Sequence, residues 1–254
     1  MSNPFATPAM AEGYARARPP LHARIVERAA AILALRPPLE AALDLGCGSG
    51  LSTRPLLRLA RRVVAFDPAH AMSVTAGAIA SPARTLTARA EALPFRSGSF
   101  DLITAAGSLN YTEPAAVFRQ AARILSPVGC FVAYDFSQGR ASTAAPALAV
   151  WFESFLSRYP MPPGEALHLD PASIAGLARG FTVLASELFQ MPLRMDATSY
   201  SAYLMTETNV AAAIRGGASE SEIRRWLSDS LAPVFGGAEL EVVFPGYVIC
   251  LRAA

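Results

Sequence analysis

The sequence predicts an α/β fold in which a largely parallel sheet is covered on both faces by helices. Short apolar runs at Ala41–Leu45, Val63–Phe66, Ala83–Ala88, Leu102–Ala106 and Cys130–Tyr134 alternate with helix-length segments or long crossovers. Continuous apolar strands without polar alternation are what burial on both faces produces. The first of these runs ends in Gly46-Cys47-Gly48-Ser49-Gly50, a glycine-rich turn that leads into the next segment.

The elements follow in order. Residues 1–20 are rich in Pro, Ala and Arg and read as an irregular lead-in. Leu21, Ile25, Ala29, Ile32 and Leu33 recur at helical spacing, and Arg36-Pro37-Pro38 stops that helix. After the strand Ala41–Leu45 and its glycines, Leu51–Leu59 can form a helix before the strand Val63–Phe66. Ala69–Ala80 favours a helix, Ala83–Ala88 a strand, Leu102–Ala106 a strand and Pro114–Leu125 a helix. Ser126-Pro127-Val128-Gly129 reads as a turn into the strand Cys130–Tyr134. Further on, Trp151, Phe155 and Tyr159 share one face of a helix within 146–159. Asp170-Pro171 is an N-cap followed by proline in the first turn, with Gly180 as the stop, and Phe181–Met195 is strand-like. Ser219 and Glu222 form a capping-box pattern opening a helix through Leu231. Leu240–Leu251 reads as two strands around Pro245-Gly246.

Composition narrows the function classes. The chain has 254 residues, 52% hydrophobic and 17% charged, with a formal charge of +2, which suits one domain with a full core and excludes intrinsic disorder. Every basic residue is Arg. Lysine-dependent chemistry, such as pyridoxal-phosphate Schiff bases and Walker-type phosphate loops, is therefore excluded. No basic stripe is present, so no nucleic-acid partner is expected. Cys47, Cys130 and Cys250 are far apart, which points to a reducing compartment and no metal site. No stretch has the pattern of a signal peptide or the length of a membrane span, and a cytoplasmic protein without membrane partners is expected.

Asp44 and the glycines Gly46, Gly48 and Gly50 place a carboxylate beside a turn at the carboxyl end of a strand, and Asp67 closes the next strand about 20 residues on. An acid there can accept hydrogen bonds from ribose hydroxyls, so both dinucleotides and S-adenosylmethionine fit. The spacing is GxGxG and not the GxGxxG that dinucleotide sites favour. Asp44 would repel a pyrophosphate and attract the ammonium of a methionine moiety. An ordinary glycine turn is the structural alternative.

Five segments in order carry a resemblance: Asp44–Gly50, Asp67-Pro68-Ala69-His70-Ala71-Met72, Ala90-Glu91-Ala92-Leu93-Pro94-Phe95, Ser99-Phe100-Asp101 and Arg123–Gly129. Together they resemble class I S-adenosylmethionine-dependent methyltransferases of the small-molecule branch called type 11. The resemblance covers residues 41–135 and fades after 140. Tyr14–Pro20 is also similar to the start of the trans-aconitate-methyltransferase-like group. The resemblance implies a Rossmann-like, seven-stranded mostly parallel sheet with one antiparallel strand near the edge and an inserted helical cap. It divides a single domain (1–254) into an N-terminal lid and helix (1–37), a cofactor-binding core (41–135), a substrate cap (140–235) and last strands (240–252).

For the site, the resemblance implies that Asp44, Gly46, Gly48 and Gly50 hold the methionine part of S-adenosylmethionine, that Asp67 takes the ribose, and that Met72, Ala90 and Glu91 flank the adenine. Tyr14 and Arg18 would close over the cofactor, with Arg18 near its carboxylate. Relatives often carry an acid where Arg89 stands and a His where Asn110 stands, which removes an obvious general base. Methyl transfer to a small-molecule acceptor needs chiefly alignment and exclusion of water. Asn110 and Tyr111, just past the strand Leu102–Ala106, are the catalytic-position candidates, acting by positioning; Tyr111 either faces the sulfonium or caps the core. Trp151, Phe155 and Tyr159 either line an aromatic acceptor pocket or form plain core, and His168 is the one histidine placed to face that pocket. The competing reading is a non-catalytic Rossmann-like protein that binds S-adenosylmethionine or NAD.

Overall fold

Seven strands pair in one sheet of order β3-β2-β1-β4-β5-β7-β6: β1 (Leu39–Leu45), β2 (Ala60–Asp67), β3 (Arg84–Thr87), β4 (Phe100–Ala106), β5 (Leu125–Phe136), β6 (Phe181–Met195) and β7 (Leu240–Ala253). The computed structural model describes residues 8–164 and 166–253; residues 1–7 of the expected lead-in lie outside the described residues. β1 to β5 run parallel, and β7 lies antiparallel between β5 and β6. The strand order reverses between β1 and β4, so their carboxyl ends open a crevice where α/β sheets bind ligands.

Alternate residues of each strand enter two cores. On one face Ala42, Leu102, Val132 and Val248 pack under α2 (His22–Ile32), α5 (Ala147–Arg158), α7 (Ala197–Leu204), α8 (Thr208–Arg215) and α9 (Glu220–Phe235). On the other, Leu43, Ile103, Phe131 and Ile249 meet α4 (Pro114–Ile124) and α6 (Pro171–Leu177). α1 (Pro8–Ala17) and α3 (His70–Ile79) lie beside one another. Asp170 caps α6 by accepting a 2.7 Å bond from the Ser173 amide, as its Asp-Pro pair predicts.

Four expectations need correction. The lead-in is helical over Pro8–Ala17, because its alanines outweigh the prolines around them. Leu51–Leu59 is not an α-helix but turns followed by a single 3₁₀ segment, Arg54–Arg58. Pro55 there has no N–H to give, and the hydroxyls of Ser52 and Thr53 are held by Asp44. Ser126–Gly129 is not a turn but the start of β5, where pairing slips from Phe100–Leu125 to Leu102–Cys130. Leu240–Leu251 is not a hairpin but one strand. Pro245 accepts from the Ser137 amide at 2.7 Å, and a Cβ on Gly246 would lie 2.5 Å from the Phe189 ring, so this glycine serves close packing. The helix opened by Ser219 runs beyond Leu231 to Phe235.

Candidate active site

The glycine turn is fastened from beneath. Asp44, at the carboxyl end of β1, is fully buried and accepts from the hydroxyls of Ser52 and Thr53, both at 2.7 Å, and of Thr104 at 2.9 Å. Burial pushes its carboxyl above the usual range, and the hydroxyls oppose that shift. Both of its oxygens are thus engaged inside the protein. Gly46 has φ +68°, and a Cβ there would lie 2.3 Å from Cβ of Ser108, past β4. Only glycine lets these two strand ends approach so closely. Gly48, at φ +51°, has no atom within 4 Å of where a Cβ would stand, so the turn presents bare backbone to open space. Gly50 completes it with a 2.9 Å bond from its amide to the Cys47 carbonyl. Cys47 itself is buried and burial pushes its thiol up, so it is unreactive filler.

Asp67 ends β2 beside the turn, accepting from the Gly48 amide at 3.0 Å and the Ala69 amide at 2.8 Å. A carboxylate has about four lone-pair directions, so two stay available to a diol. Burial raises its carboxyl. Met72 is buried beside Ala69, and Ala90 is buried just past β3. Glu91 pairs with Arg89 at 3.6 Å and accepts from the Glu113 amide at 3.2 Å, which ties this loop to the start of α4.

The N-terminal residues form a separate knot. Arg18 pairs with Glu207 at 3.0 Å, donates to the Thr206 carbonyl at 3.2 Å and stacks over the Tyr14 ring at 4.4 Å. Burial works against this charge, yet Glu207 and the tyrosines hold the guanidinium above its ordinary pKa. Here Arg18 is engaged by a protein carboxylate, where the sequence suggested a cofactor carboxylate. Beside it His22 exchanges a 3.0 Å bond with the Tyr134 hydroxyl; burial and the Arg18 charge lower it to about 4, so it is neutral.

A cavity of about 220 Å³ opens at the carboxyl ends of β4 and β5, next to the crevice. Asn110, in the 3₁₀ turn after β4, donates from Nδ2 to Asp135 at 2.9 Å, and the second oxygen of Asp135 accepts from the Phe136 amide at 2.8 Å. Burial raises the Asp135 carboxyl above its ordinary range. Ser137, His168 and Tyr247 complete the polar wall, and the Leu167 amide binds the Asn110 carbonyl at 2.7 Å, which holds residues 167–169 at the cavity wall. Glu165 lies outside the described residues. Tyr111, next to Asn110 in the 3₁₀ turn, is 57% exposed, so it does not cap the core.

The aromatic face of α5 lies elsewhere. Trp151 stacks on Phe155 and on Trp226, each with ring centres 5.6 Å apart, and Tyr159 meets Trp226 edge-on at 5.5 Å. These three aromatics are buried in the core against α9 and do not line the cavity, which favours the plain-core alternative, whereas His168, the fourth predicted pocket residue, does line it. The polar wall residues missed were Asp135, Ser137 and Tyr247. Asp135 had a signal, since it follows an apolar strand as Asp44 and Asp67 do; Tyr247 had none, because the hairpin assumed there put it in the wrong place. Among the described residues no cluster of His, Cys, Asp or Glu is placed to hold a metal ion. No described helix is long and apolar enough to cross a membrane.

A parallel sheet with a glycine turn at its switch point and an acid on the neighbouring strand defines a Rossmann-like cofactor-binding domain. Residues 43–133 match the Methyltransferase domain family. A protein of Dictyostelium discoideum named as a methyltransferase is 24% identical over 217 residues, covering 83% of this chain and 81% of its own. A type II methyltransferase structure from Anaeromyxobacter dehalogenans superposes with a TM-score of 0.71 at 23% identity, over 89% of this chain and 95% of that one. A geranyl diphosphate C-methyltransferase from Streptomyces coelicolor, solved with S-adenosyl-L-homocysteine, shares the fold at a TM-score of 0.51 and 16% identity, over 91% and 77% of the two chains. Over residues 43–133 the chain carries a methyltransferase domain, and S-adenosylmethionine is the cofactor that goes with it.

Proposed function

We propose that the protein transfers the methyl group of S-adenosylmethionine to a small-molecule acceptor held in the cavity between Asn110, Asp135 and residues 167–169. The observation that carries this reading is the cavity's place, at the carboxyl end of the strand beside the one that carries the glycine turn. Its volume is below the roughly 300–1,000 Å³ of ordinary ligand sites, so it suits a small acceptor or the reactive end of one. In this reading 41–135 is the cofactor half of a single domain, and the acceptor half comes from residues after 140 with Asn110 and Tyr111.

The residues present fit the cofactor. The open side of Gly48 admits a ligand against backbone, Asp67 keeps lone pairs for the ribose hydroxyls, and Met72 with Ala90 offers apolar surface for a purine. When bound, S-adenosylmethionine supplies an electrophilic methyl on a sulfonium. The chain's own contribution is to orient the acceptor through Asn110 and Asp135, to place Tyr111 next to Asn110, and to exclude water with residues 167–169. Calorimetry tests the cofactor half: S-adenosylhomocysteine binds the wild type, and Asp67→Ala weakens it at least about tenfold, the worth of one charge-assisted hydrogen bond. Unchanged affinity in that variant would remove Asp67 from the site.

A further inference from the structure

The acceptor cavity has an electrostatic sign. Its lining includes Asp135 but no arginine, and Asp170, the N-cap of α6, stands two residues from His168. The nearest buried cation, Arg18, is closed off by Glu207 at 3.0 Å, so its positive charge is answered inside the N-terminal knot. Asn110 adds to this polarity. It gives Nδ2 to Asp135, and its Oδ1 is buried without a hydrogen-bond partner. The wall therefore offers a carboxylate and an unsatisfied amide oxygen, both of which ask for donors. Arg18 and Glu207 act on Asp135 with opposite signs, so an acceptor entering as a carboxylate would meet Asp135 with no unpaired cation on the cavity wall to receive it.

We propose that the cavity binds the amino head of the acceptor, an alkylammonium or its conjugate amine, with Asp135 and Oδ1 of Asn110 receiving its N–H groups. The proposal rests on the reading of the glycine turn as the methyl-donor site, and it names the substrate class of that reaction. The ammonium gives one proton to the Asp135 carboxylate. The freed nitrogen pair forms the new N–C bond as the S–C pair returns to sulfur, the methylated product leaves as an ammonium, and Asp135 releases its proton to water. The raised basicity that burial gives Asp135 narrows the gap this proton transfer has to cross.

The test uses the full chain and two small probes of opposite charge, propylammonium and propionate, titrated by ligand-observed NMR with and without S-adenosylhomocysteine at matched ionic strength. Propylammonium is expected to bind at least about tenfold more tightly than propionate, and Asp135→Asn to remove that preference. S-adenosylhomocysteine affinity in Asp135→Asn should stay within about twofold of wild type, since the residue lies outside the cofactor crevice. Equal or tighter binding of propionate, binding of neither probe, or a preference that survives Asp135→Asn would each overturn the proposal. Should Asp135→Asn fail to fold, the wild-type comparison of the two probes decides alone. Failure of S-adenosylhomocysteine to bind would instead count against the cofactor reading, and the titration without it still reports on the cavity.

Discussion

Asp44, Asp67 and Asp135 each close a parallel strand, yet their surroundings give them different work. Asp44 is held by three hydroxyls and fixes the turn's shape. Asp67 and Asp135 each keep oxygen lone pairs toward a crevice or cavity. All three carboxyls are raised by burial, so each favours the folded state most when protonated, and that contribution fades as pH rises above 3.8. His22 has the opposite sign. Its pKa falls from 6.5 to about 4 on folding, so the unfolded chain takes up its proton first. Stability is then lost as pH drops from 6.5 towards about 4, by up to about 3 kcal/mol from this residue. Urea midpoints measured across that range should fall more steeply in wild type than in His22→Gln; parallel curves would show that His22 titrates normally.

At the scale of elements, α5 is a core helix. Phe155 is fully buried against α9, and truncating it to Ala should cost about 3–5 kcal/mol. The same substitution should leave S-adenosylhomocysteine affinity and acceptor KM within about twofold, once assayed below its lowered melting point. A selective rise in acceptor KM would return the aromatic face to the site. The periodicity of 151, 155 and 159 located the buried face correctly but could not say what buried it, because a core and a pocket wall place the same demand on a helix. The same limit applies elsewhere. The strands 41–45, 63–66 and 102–106 and the glycine turn were legible, since burial on both faces and backbone approach leave local marks. Pro245-Gly246 and Ser126–Gly129 were misread because their glycines and prolines answer to neighbours far along the chain, the Phe189 ring for Gly246 and the carbonyl of Phe100 for Gly129. Asp135 and residues 167–169 acquire meaning only when the fold brings them to Asn110.

At the scale of the molecule, Arg18 joins the start of the chain to the turn between α7 and α8, pairing with Glu207 and donating to the Thr206 carbonyl 188 residues away. A lead-in that served only as a lid could be removed without harm to the fold. The geometry argues otherwise, since Glu207 is 5% exposed and also accepts from Gln138, so losing Arg18 leaves a buried carboxylate without its counter-charge. Arg18→Leu should therefore destabilise the protein by about 3–5 kcal/mol, the usual cost of breaking a buried pair from one side. Replacing both partners, Arg18→Leu with Glu207→Leu, should recover much of that loss, because the desolvation of both charges disappears together. Melting curves of the two single variants and the double variant give the coupling directly. Additive losses would mean that the two residues act independently and that the N-terminal helix is only draped over the sheet. A strong coupling would mean that the start of the chain is built into the fold through this ion pair.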